Sequence, residues 1–159
     1  GEYVRFNPFA PDQFFARRFF RPDSLLSETG FIAHDPQGLV ECVKWGNQFG
    51  VPMIITENGV EDREDVLRPR YLVEHLHALW RVINDNYPVE GYFYWTLVDN
   101  FEWERGWSQR FGLWELNQKT QARVRRPSAE LYEEICRING ISSEVTARYA
   151  PEAMQTLFP

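Results

Sequence analysis

The run Met53-Ile54-Ile55-Thr56-Glu57-Asn58-Gly59 limits what this chain can fold into more than any other stretch. Apolar and β-branched residues lead directly into a carboxylate, an amide and a glycine, the pattern of a buried parallel strand that ends at a polar rim. In a parallel α/β barrel the carboxyl ends of the strands face the mouth where chemistry is done, so a carboxylate at the last strand position is a candidate reactive group. Glu57 is that carboxylate. Glu-Asn-Gly also spells a turn, and from this stretch alone a capping role or a surface pairing with an arginine accounts for Glu57 equally well.

A second stretch changes the balance. Gly91-Tyr92-Phe93-Tyr94-Trp95 begins as an aromatic strand, and the chain then carries Asp99, Asn100 and Glu102 in a loop between Trp95 and Trp103. Indole faces beside hydrogen-bonding carboxylates suit a sugar, which offers an apolar C–H face and a rim of hydroxyls. Plain core packing is the competing account of a lone strand tryptophan. Ile-Thr-Glu-Asn-Gly, then Trp-Thr-Leu-Val-Asp-Asn-Phe-Glu-Trp, then Arg110-Phe111-Gly112-Leu113 resemble the retaining β-glycosidases of glycoside hydrolase family 1, the β-glucosidase family. The resemblance runs from roughly residue 30 to residue 138, with the three motifs in the family's order and spacing.

A chain of 159 residues, 43% hydrophobic and with a formal charge of −6, has the composition of a soluble globular protein with one ordinary core. A closed eight-fold β/α barrel takes about 250 residues, and only two βα units are legible. The expected fold class is therefore α/β, the C-terminal part of a TIM (β/α)8 barrel with the last strands and helices only. The resemblance implies the same, matching the family after its sixth strand, with residue 1 inside a longer gene product. A piece of this kind leaves parallel strand edges and inner helix faces uncovered, so a complementary N-terminal barrel segment of the same enzyme is the expected partner. The acidic balance and the absence of a basic patch argue against nucleic acid and anionic membrane. Arg17-Arg18 and Arg125-Arg126 read as surface charges near helix ends. No apolar run approaches the length of a membrane span, and a cytoplasmic location is expected.

Along the chain, residues 1–34 are rich in Phe, Arg and Pro without a clean period and read as a long, aromatic-anchored loop. Asp35-Pro36 supplies an N-cap and a proline at the first helical position, and Leu39, Val43 and Phe49 mark the buried side of a helix that ends at Gly50. Pro52 opens the strand ending at Glu57. Pro69 starts a second helix with Leu72, Leu76, Leu79, Trp80 and Ile83 at the helical period, stopping near Asn86. After the strand Tyr92 to Trp95, residues 111–116 form a short extra strand pairing. Pro127 starts a last helix with Leu131, Tyr132, Ile135 and Ile138 on one side, closed by Gly140. The expected division is residues 1–141 as the barrel portion and 142–159 as a tail with no legible role. His75 and His77, two apart on a helix, face different ways and share no metal. Cys42 and Cys136 lack metal or redox spacing and read as buried, reduced thiols. Neither cofactor nor metal is expected.

The resemblance also assigns roles. Retaining glycosidases use two carboxyl groups about 5–5.5 Å apart, a nucleophile and an acid/base. Glu57 matches the nucleophile. The family's acid lies in an Asn-Glu-Pro motif on an earlier strand, and these residues contain no Asn-Glu pair; the tyrosine that contacts the nucleophile would also precede residue 1. Trp95 matches the platform under the sugar, Glu102 and Trp103 the groups that hold its outer hydroxyls, and Phe111 the side chain closing that pocket. Asp99 and Asn100 are explained as well by loop bracing as by sugar contact. Thr96 and Trp107 stand where the family usually has serine and tyrosine, which leaves the choice among glucosides, galactosides and fucosides open. The implied activity is hydrolysis of small β-glycosides with retention, incomplete in this chain alone. A non-catalytic carbohydrate-binding or regulatory protein of the same fold is the alternative.

Overall fold

The computed structural model describes residues 3–159, apart from the side chain of Arg18. The reading of Arg18 as a surface charge, and that of residues 1 and 2 as loop, lie outside the described residues. The chain opens with an antiparallel hairpin, β1 (Tyr3–Phe6) paired with β2 (Ala16–Phe19) in the register Tyr3↔Phe19 to Phe6↔Ala16. This corrects the expectation of a loop over residues 1–34. The hairpin is held by cross-strand aromatic contact, with the Tyr3 and Phe19 rings 5.6 Å apart and the Arg5 guanidinium 5.0 Å over Phe19. Such pairing depends on the partner strand and leaves little local period to read.

The central run is α1 (Pro36–Gly46), β3 (Met53–Asn58), α2 (Arg68–Asn84), β4 (Val89–Tyr94), then β5 (Trp114–Leu116) against β6 (Arg123–Arg125), and α3 (Pro127–Ile138). The expected helix, strand, helix, strand, helix order is therefore present. β3 and β4 are parallel, pairing from Met53↔Val89 to Asn58↔Tyr94, and α2 is the crossover between them. Among the described residues these are the only two parallel strands, and the sheet is not closed.

Asp35 caps α1 as expected, its carboxylate accepting from the Gly38 N–H at 3.1 Å with Pro36 at the first helical position. The other two helix starts are capped from a distance. Asp62 accepts from the N–H groups of Leu67 (2.7 Å) and Arg68 (2.9 Å) at the head of α2, and Asp65 from Ser128 N–H (2.8 Å) at the head of α3. Between them lies the buried Arg68 guanidinium, bonded to Asp65, to the Asp62 carbonyl and to the Arg110 carbonyl (2.8 Å). One loop carboxylate pair and one arginine thus tie together the ends of β3, α2 and α3.

Two apolar clusters carry the packing. Val40 and Val43 of α1 meet Ala78, Leu79 and Val82 of α2 over Met53, Ile55 and Val89 of the strands. On the other side, Leu72, Val73 and Tyr94 join Leu113, Ala129, Leu131 and Ile135. The residues after Ile141 enter that second cluster: α4 (Ser143–Tyr149), capped by the Ser142 hydroxyl, is followed by buried Ala150, Ala153 and, in α5 (Met154–Leu157), Leu157. The tail without a legible role is part of the core.

Several apolar positions expected inside are at the surface. Phe49, Trp80, Ile83 and Ile138 are exposed. Phe49 lies in a 3-10 turn beyond the end of α1, where the helical period no longer holds, and Trp80 and Ile83 line an apolar cavity of about 630 Å³ between α2, β4 and α3. Cys42 and Cys136 are exposed thiols, which corrects their reading as buried; Cys42 lies at the edge of a cleft and Cys136 on the outer side of α3. The edges of the two-stranded sheet are similarly open, with Ile54 53% and Phe93 61% exposed. No helix among the described residues is long and apolar enough to cross a membrane.

Candidate active site

All five residues singled out from sequence line one cleft. Glu57, Trp95, Glu102, Trp103 and Phe111 surround an open space of about 800 Å³ at the carboxyl ends of β3 and β4. Glu57 is the penultimate residue of β3 and is exposed to the cleft. Trp95 directly follows β4, and its N–H donates to the Asn58 carbonyl at 3.1 Å, so the two strand ends are locked side by side. Gly59 makes that approach possible: a Cβ there would lie 1.8 Å from the Trp95 carbonyl oxygen. The Trp95–Thr96 peptide is cis.

Beyond the strands, Trp95 Nε1–H donates to Glu102 Oε1 at 3.2 Å. One lone pair of the Glu102 carboxylate is thereby occupied, and the group is oriented with further acceptor sites facing the cleft. Trp103 begins a tight turn closed by Glu102 N–H to the Gly106 carbonyl (2.7 Å) and sits at φ 45° with its side chain 82% exposed. Phe111 is buried, its carbonyl accepting from Thr96 N–H at 3.4 Å.

The neighbours left out of the site behave differently. Asp99 is buried outside the cleft, chelated by Arg126 (3.1 and 3.2 Å), with Gly112 N–H at 2.8 Å and Leu116 N–H at 3.3 Å. It braces the loop that carries Glu102 and Trp103. A Cβ at Gly112 would lie 2.2 Å from Asp99 N, so this brace also requires a glycine. Asn100 reaches only the Phe101 carbonyl at 3.4 Å. Trp107 packs edge-on against Phe101 at 6.1 Å and does not line the cleft.

Sequence reasoning missed part of the lining. Phe31, under the Arg105 guanidinium at 5.0 Å, lines the cleft, and so do Tyr71 and His75 of α2. The His75 ring stacks on Tyr71 at 3.8 Å and its Nδ1 lies 2.8 Å from the Tyr71 carbonyl, so Nδ1 carries the proton in the neutral ring. Burial pushes His75 down to about 3, and burial with the nearby Arg70 charge pushes His34 down to about 4. His34 Nε2 lies 2.6 Å from a carboxylate oxygen of Glu74. Burial also raises Tyr71 and Tyr92, so both phenols keep their protons. The i,i+4 spacing of Tyr71 and His75 in α2 was the available signal that they share a face. Among the described residues no group of three His, Cys, Asp or Glu side chains could hold a metal ion.

This arrangement presents an exposed strand-end carboxylate, an oriented second carboxylate and aromatic faces around one concave space. It suits a small polyhydroxylated ligand with a reactive centre near Glu57.

Comparison with known proteins gives a consistent result. The model of glycosyl hydrolase family 1 matches residues 16–141. A β-galactosidase of Pyrococcus woesei is 37% identical over 126 residues, covering 79% of this chain and 24% of that protein. Beta-glucosidase A of Thermotoga maritima is 33% identical over 152 residues, covering 89% of this chain and 33% of that protein. The solved β-glycosidase of Pyrococcus horikoshii matches with a TM-score of 0.84 at 35% identity, covering 94% of this chain and 35% of that one. The chain spans about a quarter to a third of the length of these relatives. Its helices and parallel strands are accordingly one part of a (β/α)8 barrel. With its three motifs gathered at one strand-end cleft and most of its length matched by the family model, the chain belongs to glycosyl hydrolase family 1.

Proposed function

We propose that this chain carries the nucleophile and the sugar-recognition half of the active site of a retaining β-glycosidase acting on β-glucosides and related small β-glycosides. The observation that carries the reading is the convergence of Glu57, Trp95, Glu102, Trp103 and Phe111 on one cleft, with Glu102 engaged by Trp95. The two carboxylates then have separate work. Glu102, oriented by the indole, accepts from outer hydroxyls of the sugar, with Trp103 donating to another; Trp95 stacks under the ring and Phe111 closes the pocket.

Glu57 attacks the anomeric carbon. A carboxylate oxygen forms the bond to C1 as the glycosidic C–O bond breaks through an oxocarbenium-like transition state, and the leaving oxygen takes a proton from the acid/base group. Water then attacks C1 of the α-linked ester, gives its proton to the same group and releases Glu57, so the β configuration is restored. The acid/base is a glutamate of the complementary barrel segment. That segment also pairs the open edges of β3 and β4 and covers Ile54 and Phe93.

The test uses the full-length enzyme with a 2-deoxy-2-fluoro-β-glycosyl fluoride, whose fluoride leaves without acid assistance. Peptide mapping should find the sugar esterified to Glu57. Glu57→Ala should lose several orders of magnitude in kcat, and added azide should give the glycosyl azide of inverted configuration. A label on another residue, or an initial product of inverted configuration from wild type, overturns the reading.

A further inference from the structure

Glu57 and Asn58 are adjacent at the carboxyl end of β3, in the stretch where its pairing with β4 is irregular. Both line the cleft, and the Asn58 amide also reaches α2. That amide is held at both ends. Asn58 Nδ2 donates to the Tyr71 hydroxyl of α2 at 3.0 Å, and the Tyr92 hydroxyl of β4 donates to Asn58 Oδ1 at 3.0 Å and reaches the Asn58 carbonyl at 3.3 Å. That same carbonyl accepts from Trp95 N–H at 3.1 Å. The strand-end residue next to Glu57 is thus gripped by its own helix, by the neighbouring strand and by the platform tryptophan.

The grip is itself rigid. Tyr71 is stacked on His75 and met edge-on by His34 at 5.6 Å, while the Tyr92 carbonyl accepts from the Tyr132 hydroxyl at 3.3 Å. It also falls where ladder pairing is irregular: the register of β3 against β4 shifts between Ile55 and Asn58, so backbone hydrogen bonds alone define the direction of Glu57 poorly. A side-chain bridge at this point supplies what the ladder lacks.

From this geometry we infer that the Tyr71–Asn58–Tyr92 bridge is the device that aims Glu57, making Asn58 a positioning residue for the glycosylation step. The inference rests on the reading of Glu57 as nucleophile. In this role Asn58 acts on the reaction through the strand-end backbone that it holds, not by contact with the reacting atoms. Loss of the bridge should misdirect the carboxylate without emptying the sugar site, and a displacement of about 1 Å at a reacting centre can cost about 10²-fold in rate.

The test is time-dependent labelling of the full-length enzyme by 2-deoxy-2-fluoro-β-glucosyl fluoride, which separates the limiting rate constant, the inhibitor's Ki and the final stoichiometry of label. For Asn58→Ala the expected result is a limiting rate lower by about 10- to 100-fold, with Ki unchanged and one sugar per chain at completion. Tyr71→Phe and Tyr92→Phe, which each delete one hydroxyl, should lower the rate by about 2- to 10-fold. If Asn58→Ala does not fold, the Tyr71→Phe/Tyr92→Phe double variant decides. A wild-type rate, or a loss confined to stoichiometry, overturns the inference, because a purely structural role reduces the fraction of competent enzyme and not the rate within it. A wild-type label outside Glu57 overturns the function reading instead.

Discussion

Gly59→Ala is the sharpest probe of how the cleft is assembled. The added Cβ would sit 1.8 Å from the Trp95 carbonyl oxygen, 2.8 Å from its carbon and 3.3 Å from its Cα, all backbone atoms that cannot rotate away. Normal contact is about 3.5 Å, so the strand ends must part by on the order of 1.5 Å. Overpacking of this kind costs about 1–3 kcal/mol, and the Trp95 N–H to Asn58 carbonyl bond adds about 1 kcal/mol when it breaks. The sum, about 2–4 kcal/mol, corresponds to a Tm lower by about 2–8 °C in a protein of barrel size or longer, because the melting entropy grows with chain length. Trp95 shifts with its backbone and draws its indole off Glu102, so kcat/KM should fall by about 10²-fold. Gly91→Ala is the matched control, because its Cβ would meet only the Ile54 side chain at 3.5 Å. Thermal melts and steady-state kinetics on the two full-length variants decide. A Gly59→Ala enzyme that melts and turns over like Gly91→Ala would refute the close approach.

Asp99→Ala leaves the Arg126 guanidinium buried without its carboxylate and should cost about 3–5 kcal/mol in urea denaturation; a loss as small as that of a surface charge would show that the brace is not under strain of burial. Acidification should destabilise the assembled enzyme through His75 and His34. Their folded pKa values, about 3 and about 4, lie below the ordinary histidine value, so the unfolded chain binds more protons and stability falls as pH drops below about 6.5. By pH 5 this amounts to roughly 2 kcal/mol per histidine, and a flat stability profile between pH 7 and pH 5 would contradict the burial of both rings. The 159-residue chain studied alone should be poorly soluble or partly unfolded, since β3 and β4 have open edges beside exposed Ile54 and Phe93. A cooperative, monomeric melt followed by circular dichroism would count against it.

What the sequence determined by itself is local. The period of α2, the Asp35-Pro36 start of α1 and the run from Met53 into Glu57 each depend on neighbours within a turn or a strand, and each stands in the structure where it was read. The five cleft residues were legible because their spacing within three motifs matches a family, and those motifs do meet at one cleft. Tertiary structure alone decided what depends on distant partners. The β1–β2 hairpin, the capping of α2 by Asp62 and of α3 by Asp65, and the chelation of Asp99 by Arg126 join residues separated by turns of chain that carry no local period. Exposure was equally out of reach for Trp80, Ile83 and Cys42: a helix's apolar stripe tells which face seeks cover, but whether cover exists depends on what packs there. Asn58 is the intermediate case. The sequence places it beside Glu57 at the end of a strand, yet only the folded positions of Tyr71 and Tyr92 make its amide a bridge.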